Sequence, residues 1–241
     1  MQGESGDGEI SVNIKDASME IRRGFVQKVY GILVVQLILT VTIAAPLSTM
    51  STKWITGHQW LFIISNAMLL VTLCAILCCR DLARRFPANY ALLFALTLAE
   101  GVALGFTSSR YTGLSVIFAA SLTAGIFLLM TAYACLTKTD FTGLGPYLFA
   151  ALCGLFLFGL VLSVLTLCGV SIHLARMIYA IIGALLFTFY IIYDTQLVLG
   201  CWGGHQEQFS IDDYAYAALS LYLDIINVFL FLLQLFGSRD S

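Results

Sequence analysis

Long apolar stretches separated by short polar connections dominate the chain. A helix needs about 20 apolar residues to cross the hydrocarbon core of a membrane. Seven stretches meet this requirement, at roughly 25–47, 59–79, 88–107, 112–136, 144–168, 175–199 and 214–237. Pro46 stands at the close of the first stretch, and Pro87 and Pro146 fall in first turns, where a missing N–H costs little. The pattern therefore predicts an all-α polytopic membrane protein with seven transmembrane helices.

The composition agrees with this fold class. Hydrophobic residues make up 60% of the 241 residues and charged residues only 11%, about half the charged fraction of a soluble domain. The formal net charge of −2 gives no electrostatic basis for binding nucleic acid. We predict one membrane domain over residues 25–237 in contact with the lipid bilayer, a flexible cytosolic tail at 1–24 and a short tail at 238–241.

Lysine and arginine are distributed unequally between the two sets of connections. If the N-terminus is cytosolic, eight of the twelve lie on that side and four on the other. The first set is Lys15, Arg22, Arg23, Lys28, Arg80, Arg84, Arg85 and Lys138, and the second is Lys53, Arg110, Arg176 and Arg239. Because these residues concentrate on the cytosolic side of membrane proteins, we predict a cytosolic N-terminus.

Three acids lie well inside the predicted spans: Glu100, Asp194 and Asp224. A charged acid at the bilayer centre costs about 2.5–3.5 kcal/mol on insertion scales, so each should face the protein interior, be paired or be protonated. Asp194 lies about 8 Å from the cytosolic end of the sixth span, and Asp224 about 15 Å along the seventh from the same side. Both acids lie in the cytosolic half of sequential helices, and tilt of the helices can bring them level. We therefore predict that these two carboxyls can touch.

Two touching carboxyls in a low dielectric cannot both ionise cheaply, so the pair would share a proton. A shared proton would tie the last two helices together. Its loss would create repulsion, or a site for a divalent cation such as Ca²⁺. Asp194 and Asp224 are thus a candidate pH-sensitive latch and Ca²⁺ site. The alternative is that each acid separately hydrogen-bonds a hydroxyl or a backbone group.

Other polar residues share helix faces with the two acids. Ser220, Asp224 and Asn227 stand at i, i+4 and i+7, and Tyr190 and Asp194 at i and i+4. This arrangement favours either a pore-lining face or ordinary polar contacts between helices.

Glu100 occupies a different setting, with Gly101 and Gly105 beside it. The small glycines would let another helix approach closely. Glu100 therefore either lines the same pathway nearer the midplane or is a protonated glutamate with a structural hydrogen bond.

Several segments resemble a known family. YIIYDTQLVLG and AALSLYLDIINVFLFLLQLFG resemble the signature of the transmembrane Bax-inhibitor motif (TMBIM) family. RRFPANYALLFALTLAEG and IRRGFVQKVYGILVVQLILTV are similar to its Lifeguard branch, and the resemblance covers roughly residues 20–237. It implies six helices wrapped around a central C-terminal helix. It also implies a Ca²⁺ leak pathway, with Ca²⁺ as permeant ion and no cofactor, that lowers store calcium and suppresses cell death.

The resemblance also implies roles for individual residues. The family's paired aspartates correspond to Asp194 and Asp224. A family arginine that engages the first of them corresponds to Arg80, or to Arg84 because the alignment near FPANY is ambiguous. We predict a pH-modulated Ca²⁺ leak channel in the endoplasmic reticulum, the Golgi or the plasma membrane, and no enzymatic activity.

An intramembrane aspartyl protease is the enzymatic alternative, since such enzymes also pair aspartates from adjacent helices and the first often follows a tyrosine, as in Tyr193–Asp194. The second acid does not fit, because Leu-Tyr-Leu-Asp stands at 221–224 where those proteases carry Gly-x-Gly-Asp. Their Pro-Ala-Leu motif is also missing, since no proline follows Pro146.

Two further alternatives are a zinc hydrolase and an adaptor. The predicted topology places His58 and His173 on one side of the membrane and His205 on the other, so the three cannot share one zinc ion. A non-conducting adaptor that binds cell-death regulatory membrane proteins needs no latch. Only a flux measurement separates it from a channel.

Overall fold

A computed structural model describes residues 18–78, 87–200, 209–210 and 212–238. These ranges contain eight α-helices, a short 3₁₀ turn at Thr142–Leu144 and no β-strand. Every helix except the short α2 belongs to a segment long and apolar enough to cross a membrane, which confirms the seven predicted spans. The helices are α1 (Met19–Ser48), α2 (Thr52–Gly57), α3 (Gln59–Cys78), α4 (Ala88–Ser108), α5 (Gly113–Leu136), α6 (Gly145–Leu167), α7 (His173–Leu199) and α8 (Tyr214–Phe236).

The first helix differs from its predicted span at both ends. The Ser18 side chain accepts a hydrogen bond from the Ile21 N–H at 3.4 Å, so α1 begins at Met19, ahead of the predicted boundary at 25. Pro46 was expected to close the span, but α1 continues to Ser48. A proline this close to the end removes few helical hydrogen bonds. Most of the predicted tail, at 1–17, lies outside the described residues.

Hydrogen bonds show which connections between helices lie at the same end of the helix bundle. At the end that contains the start of α1, the Gln196 side chain of α7 bonds to the backbone of Thr139 and Phe141. At the opposite end, the Ser238 carbonyl after α8 accepts from the Thr112 N–H that precedes α5. A chain that crosses seven times requires this alternation. We call the two the N-terminal and C-terminal ends of the bundle.

The helices α4 and α8 have the largest buried share of residues. In the apolar segment that could cross a membrane, 61% of the residues are buried in α4 and 56% in α8, compared with 11% in α5. The last helix packs against α1, α4, α5 and α7. The implied arrangement, with all six other spans around α8, stays a prediction for α3 and α6.

Glycines bring α4 directly onto α1. A Cβ on Gly101 would lie 3.0 Å from the Ile43 Cβ, and one on Gly105 would lie 2.5 Å from the Leu47 Cβ. Any larger side chain at these positions would push the helices apart. The close approach predicted for this glycine pair is therefore present, and it presses the polar face of α4 against α1.

Candidate functional site

The site is built around the two acids of the last two helices. Asp194 of α7 is 7% exposed and Asp224 of α8 is 4% exposed. Their side chains are hydrogen-bonded to each other, so the predicted juxtaposition is present. Because a carboxylate can only accept, a hydrogen bond between two carboxyls requires a proton on one of them. The arrangement therefore requires at least one proton on the pair.

One oxygen of this pair has no hydrogen-bond partner among the described residues. The Asp224 Oδ2 atom is buried and accepts no hydrogen bond from the part of the chain that the structure describes. A buried acceptor without a donor is unfavourable. This oxygen is therefore where a proton, a cation or a further donor would be most stabilising. The predicted ionic partners Arg80 and Arg84 lie outside the described residues.

A glutamine two residues beyond Asp194 fixes the end of α7. Gln196 is fully buried. Its Oε1 accepts from the Phe141 N–H at 2.8 Å, and its Nε2 donates to the Thr139 carbonyl at 2.9 Å. The side chain thus pairs with the α5–α6 connection as a peptide group would. Sequence reasoning missed this residue, although an amide beside Asp194 in an otherwise apolar segment was a signal.

The other predicted pore-lining residues near the pair differ in their orientation. The Tyr190 ring lies close enough to both aspartates to interact with them electrostatically, and its centroid is 6.3 Å from that of Tyr193. Asn227 instead donates to the Leu223 carbonyl of its own helix at 2.8 Å. Ser220 is half-buried. The structure thus brings Tyr190, but not the Asn227 amide, to the aspartate pair.

Glu100 belongs to a separate polar network. It is a largely buried residue of α4 that interacts electrostatically with Tyr222, whose hydroxyl lies 2.7 Å from Thr40 Oγ1 of α1. Tyr222 and Asp224 are two residues apart, and two helical steps of about 100° place them on nearly opposite faces of α8. The structure therefore places Glu100 on the other side of α8 from the aspartate pair.

A metal ion at the aspartate pair would have few protein ligands. Within the described ranges, no group of three or more His, Cys, Asp and Glu side chains could hold a metal ion. Ca²⁺ takes six to eight oxygen ligands. Two carboxyl groups offer at most four, so water and neutral oxygens would have to supply the rest. Such a site would bind a metal ion weakly.

Fold and site together define the class of protein. It is a multi-pass α-helical membrane protein with seven spans and a hydrogen-bonded pair of acids between the last two. The family model described as "Inhibitor of apoptosis-promoting Bax1" matches residues 22–241. The chain belongs to this Bax-inhibitor family, and the predicted resemblance is confirmed.

Individual relatives extend the match across kingdoms. The chain is 38% identical over 223 residues to protein lifeguard 3 of Mus musculus, covering 92% of this chain and 71% of that protein. The identity to protein lifeguard 3 of Homo sapiens is 36% over 223 residues, with 92% and 70% covered. Protein LIFEGUARD 4 of Arabidopsis thaliana is 35% identical over 233 residues, with 92% and 88% covered. The family is described by apoptosis inhibition rather than by a catalytic activity.

Proposed function

We propose that the chain forms a pH-modulated Ca²⁺ leak channel in an intracellular or plasma membrane, with its N-terminus in the cytosol. Its activity lowers stored calcium and thereby suppresses cell death. The observation that carries this proposal is the hydrogen bond between the buried Asp194 and Asp224 side chains. The family description, which concerns inhibition of apoptosis, supports the cellular outcome.

The shared proton is the first step of the mechanism. While it is bound, the pair carries one negative charge and α7 is tied to α8. When it leaves, two carboxylates face each other in a low dielectric, where their repulsion is far stronger than in water. Separation of α7 from α8, or entry of a cation between the carboxylates, relieves that repulsion.

Ca²⁺ is the cation that this site suits. Two carboxylates balance its charge, and carboxylate oxygens are among its preferred ligands. The unpartnered Asp224 Oδ2 and the neighbouring Tyr190 would line the approach to the ion. In this proposal Arg80 or Arg84 competes with Ca²⁺ for the carboxylates, and Ser220 and Asn227 extend the polar path along α8.

Calcium flux into proteoliposomes tests the proposal. The purified wild type is compared with Asp194→Asn and Asp224→Asn at a series of pH values. Asparagine keeps the size and can hydrogen-bond, but it removes the shared proton. We expect flux in the wild type that changes with pH, and flux in both variants that does not. Glu20→Gln removes an exposed acid at the start of α1 and serves as the control.

Two results would contradict the proposal in different ways. A folded wild type that passes no Ca²⁺ at any pH would refute the channel. The chain would then fit a non-conducting adaptor that binds cell-death regulatory membrane proteins. Flux with the same pH profile in the wild type and both Asn variants would keep the channel and refute the latch.

A further inference from the structure

A second polar network lies between α1, α4 and α8, on the face of α8 opposite Asp224. Gln36 Nε2 of α1 donates to Thr97 Oγ1 of α4 at 3.2 Å. Thr40, one turn after Gln36, lies 2.7 Å from the Tyr222 hydroxyl of α8. All four side chains are buried. The network therefore joins the last helix to α1, and α1 to α4, without any group of the aspartate pair.

The direction of each hydrogen bond in this network is determined. Thr40 uses its only hydroxyl hydrogen on the Gln36 carbonyl, at 2.8 Å. It must therefore accept from Tyr222. Thr97 uses its hydrogen on the Leu93 carbonyl, at 2.7 Å, so it can only accept from Gln36. This fixes the orientation of the Gln36 amide, with Nε2 toward Thr97.

The remaining polar atoms are mostly acceptors. With Nε2 on Thr97, the Gln36 Oε1 atom is left buried and without a partner in the described part of the chain. Gln36 is only 4% exposed. Glu100 stands one turn beyond Thr97 on the same face of α4 and adds two more acceptor oxygens. Only one donor in this network, the second amide hydrogen of Gln36, is still available to hydrogen-bond to these three oxygens.

Among the residues that the structure describes, no neighbouring cation balances a charge on Glu100. Its helix packs against α1, α3 and α8. Among the described residues, α3 has no acidic, basic or histidine side chain, and its Cys74 and Cys78 are exposed. The charged residues of α1 end at Lys28, about two turns before Gln36. From α8, the titratable group on this face is Tyr222, whose hydrogen is committed to Thr40.

We propose that Glu100, Gln36 Oε1 and the Tyr222 oxygen form a small-cation site that takes up one positive charge, as a proton or as a monovalent metal ion. One carboxylate neutralises one such charge. A divalent ion would leave an unbalanced positive charge in a low dielectric, which is costly. The site is distinct from the aspartate pair and does not depend on the proposed calcium leak.

Infrared difference spectroscopy of the detergent-solubilised protein tests this site. The background is the double variant Asp194→Asn/Asp224→Asn, in which Glu100 is the only buried acid left among the described residues. Spectra are recorded against pH, and at fixed pH against sodium, potassium and calcium, with N-methylglucamine as the inert cation. Adding Glu100→Gln identifies the glutamate bands, and Glu20→Gln is the control.

Two results support the proposed site, and they show whether the bound cation is a proton or a metal ion. A protonated-carboxyl band that disappears with rising pH, whatever the salt, and that Glu100→Gln abolishes, identifies a proton. A carboxylate band that shifts with sodium or potassium at fixed pH identifies a metal ion. Gln36→Met, which removes Oε1 at similar size, should then move the pH midpoint or the salt midpoint by about tenfold in concentration.

Two other results overturn the proposal. One is a set of Glu100 bands that respond to neither pH nor any ion. The other is a response to calcium alone. If the double-Asn background does not fold, the difference between the wild type and Glu100→Gln gives the same readout. Because every readout is binding, the result stands whether or not the protein passes calcium.

Discussion

The two opposite faces of α8 contact the neighbouring helices through different kinds of polar group. Both carry polar groups at nearly the same depth, since Tyr222 and Asp224 are only two residues apart. On the Tyr222 face, a hydroxyl pair connects α8 to α1 and an amide connects α1 to α4, and the hydroxyl hydrogens of Tyr222, Thr40 and Thr97 each have an identifiable acceptor. On the Asp224 face, the Asp194 and Asp224 side chains interact directly between α7 and α8, and we propose that they share a proton.

The hydrogen bonds on the two faces differ in whether they depend on a carboxyl proton. A hydroxyl network keeps its hydrogens at every physiological pH, so it holds α8 in place permanently. A carboxyl pair holds only while a proton is present. The last helix is thus joined to α1 by a hydrogen bond that does not titrate and, in our proposal, to α7 by one that does. Loss of the proton would release α7 rather than the whole of α8.

The largest effect is expected from removing one member of the aspartate pair. Asp224→Ala leaves Asp194 buried without its partner, and we expect the free energy of unfolding in mixed micelles to fall by about 3 kcal/mol. Asp224→Asn is the matched control, because its amide still hydrogen-bonds Asp194, and it should cost clearly less. Equal stability of Asp224→Ala and the wild type would show that the pair does not hold α7 to α8.

The next largest effect is expected at Gln196, which supports the aspartate face. Gln196→Leu leaves the Phe141 N–H and the Thr139 carbonyl without partners, which should lower the free energy of unfolding by about 2 kcal/mol. Hydrogen exchange at the Phe141 amide should accelerate accordingly. Gln234→Leu is the control, because Gln234 makes a single long bond of 3.4 Å to the Arg176 carbonyl. Equal losses in the two variants would contradict a specific role for Gln196.

The pH dependence of stability tests whether the aspartate pair holds a shared proton. The folded pair holds a proton that an unfolded aspartate releases, so the stabilisation is present at low pH and is lost as pH rises. A single proton gives a slope of about 1.4 kcal/mol per pH unit in the range where it dissociates. Unfolding at a series of pH values should show this slope in the wild type. Asp194→Asn should reduce it, and Glu20→Gln, which removes an exposed acid, should leave it unchanged. A wild type without the slope would exclude the shared proton.

The smallest effect is expected from Tyr222→Phe. Thr40 keeps its own bond to the Gln36 carbonyl, so no donor is left unsatisfied. Interhelical hydrogen bonds in membranes contribute about 0.6 kcal/mol on average, and the free energy of unfolding should fall by about that amount. Thr40→Val should cost more, because it leaves the Tyr222 O–H without an acceptor. A reversed order would mean that the donor assignment on this face is wrong.

Sequence reasoning predicted the spans well because their signal is local. Length and apolar content identify a membrane helix without knowledge of its neighbours, and the acids were recognised because charge is costly in lipid. The same logic could not find Gln36 or Gln196. Their importance comes from partners 61 and 55 residues away along the chain, such as Thr97 and Phe141.

The sequence alone determined the number of crossings, their approximate limits and the two acids that lie in the same half of consecutive helices. It could not determine which helix faces are interior. The helices α4 and α5 are both apolar, yet 61% of the residues in the membrane-spanning segment of α4 are buried and only 11% of those in α5. In a membrane, lipid and protein interior are equally apolar, so hydrophobic pattern does not separate them. Only the tertiary structure placed Asp224 against α7 and Glu100 on the opposite side of α8.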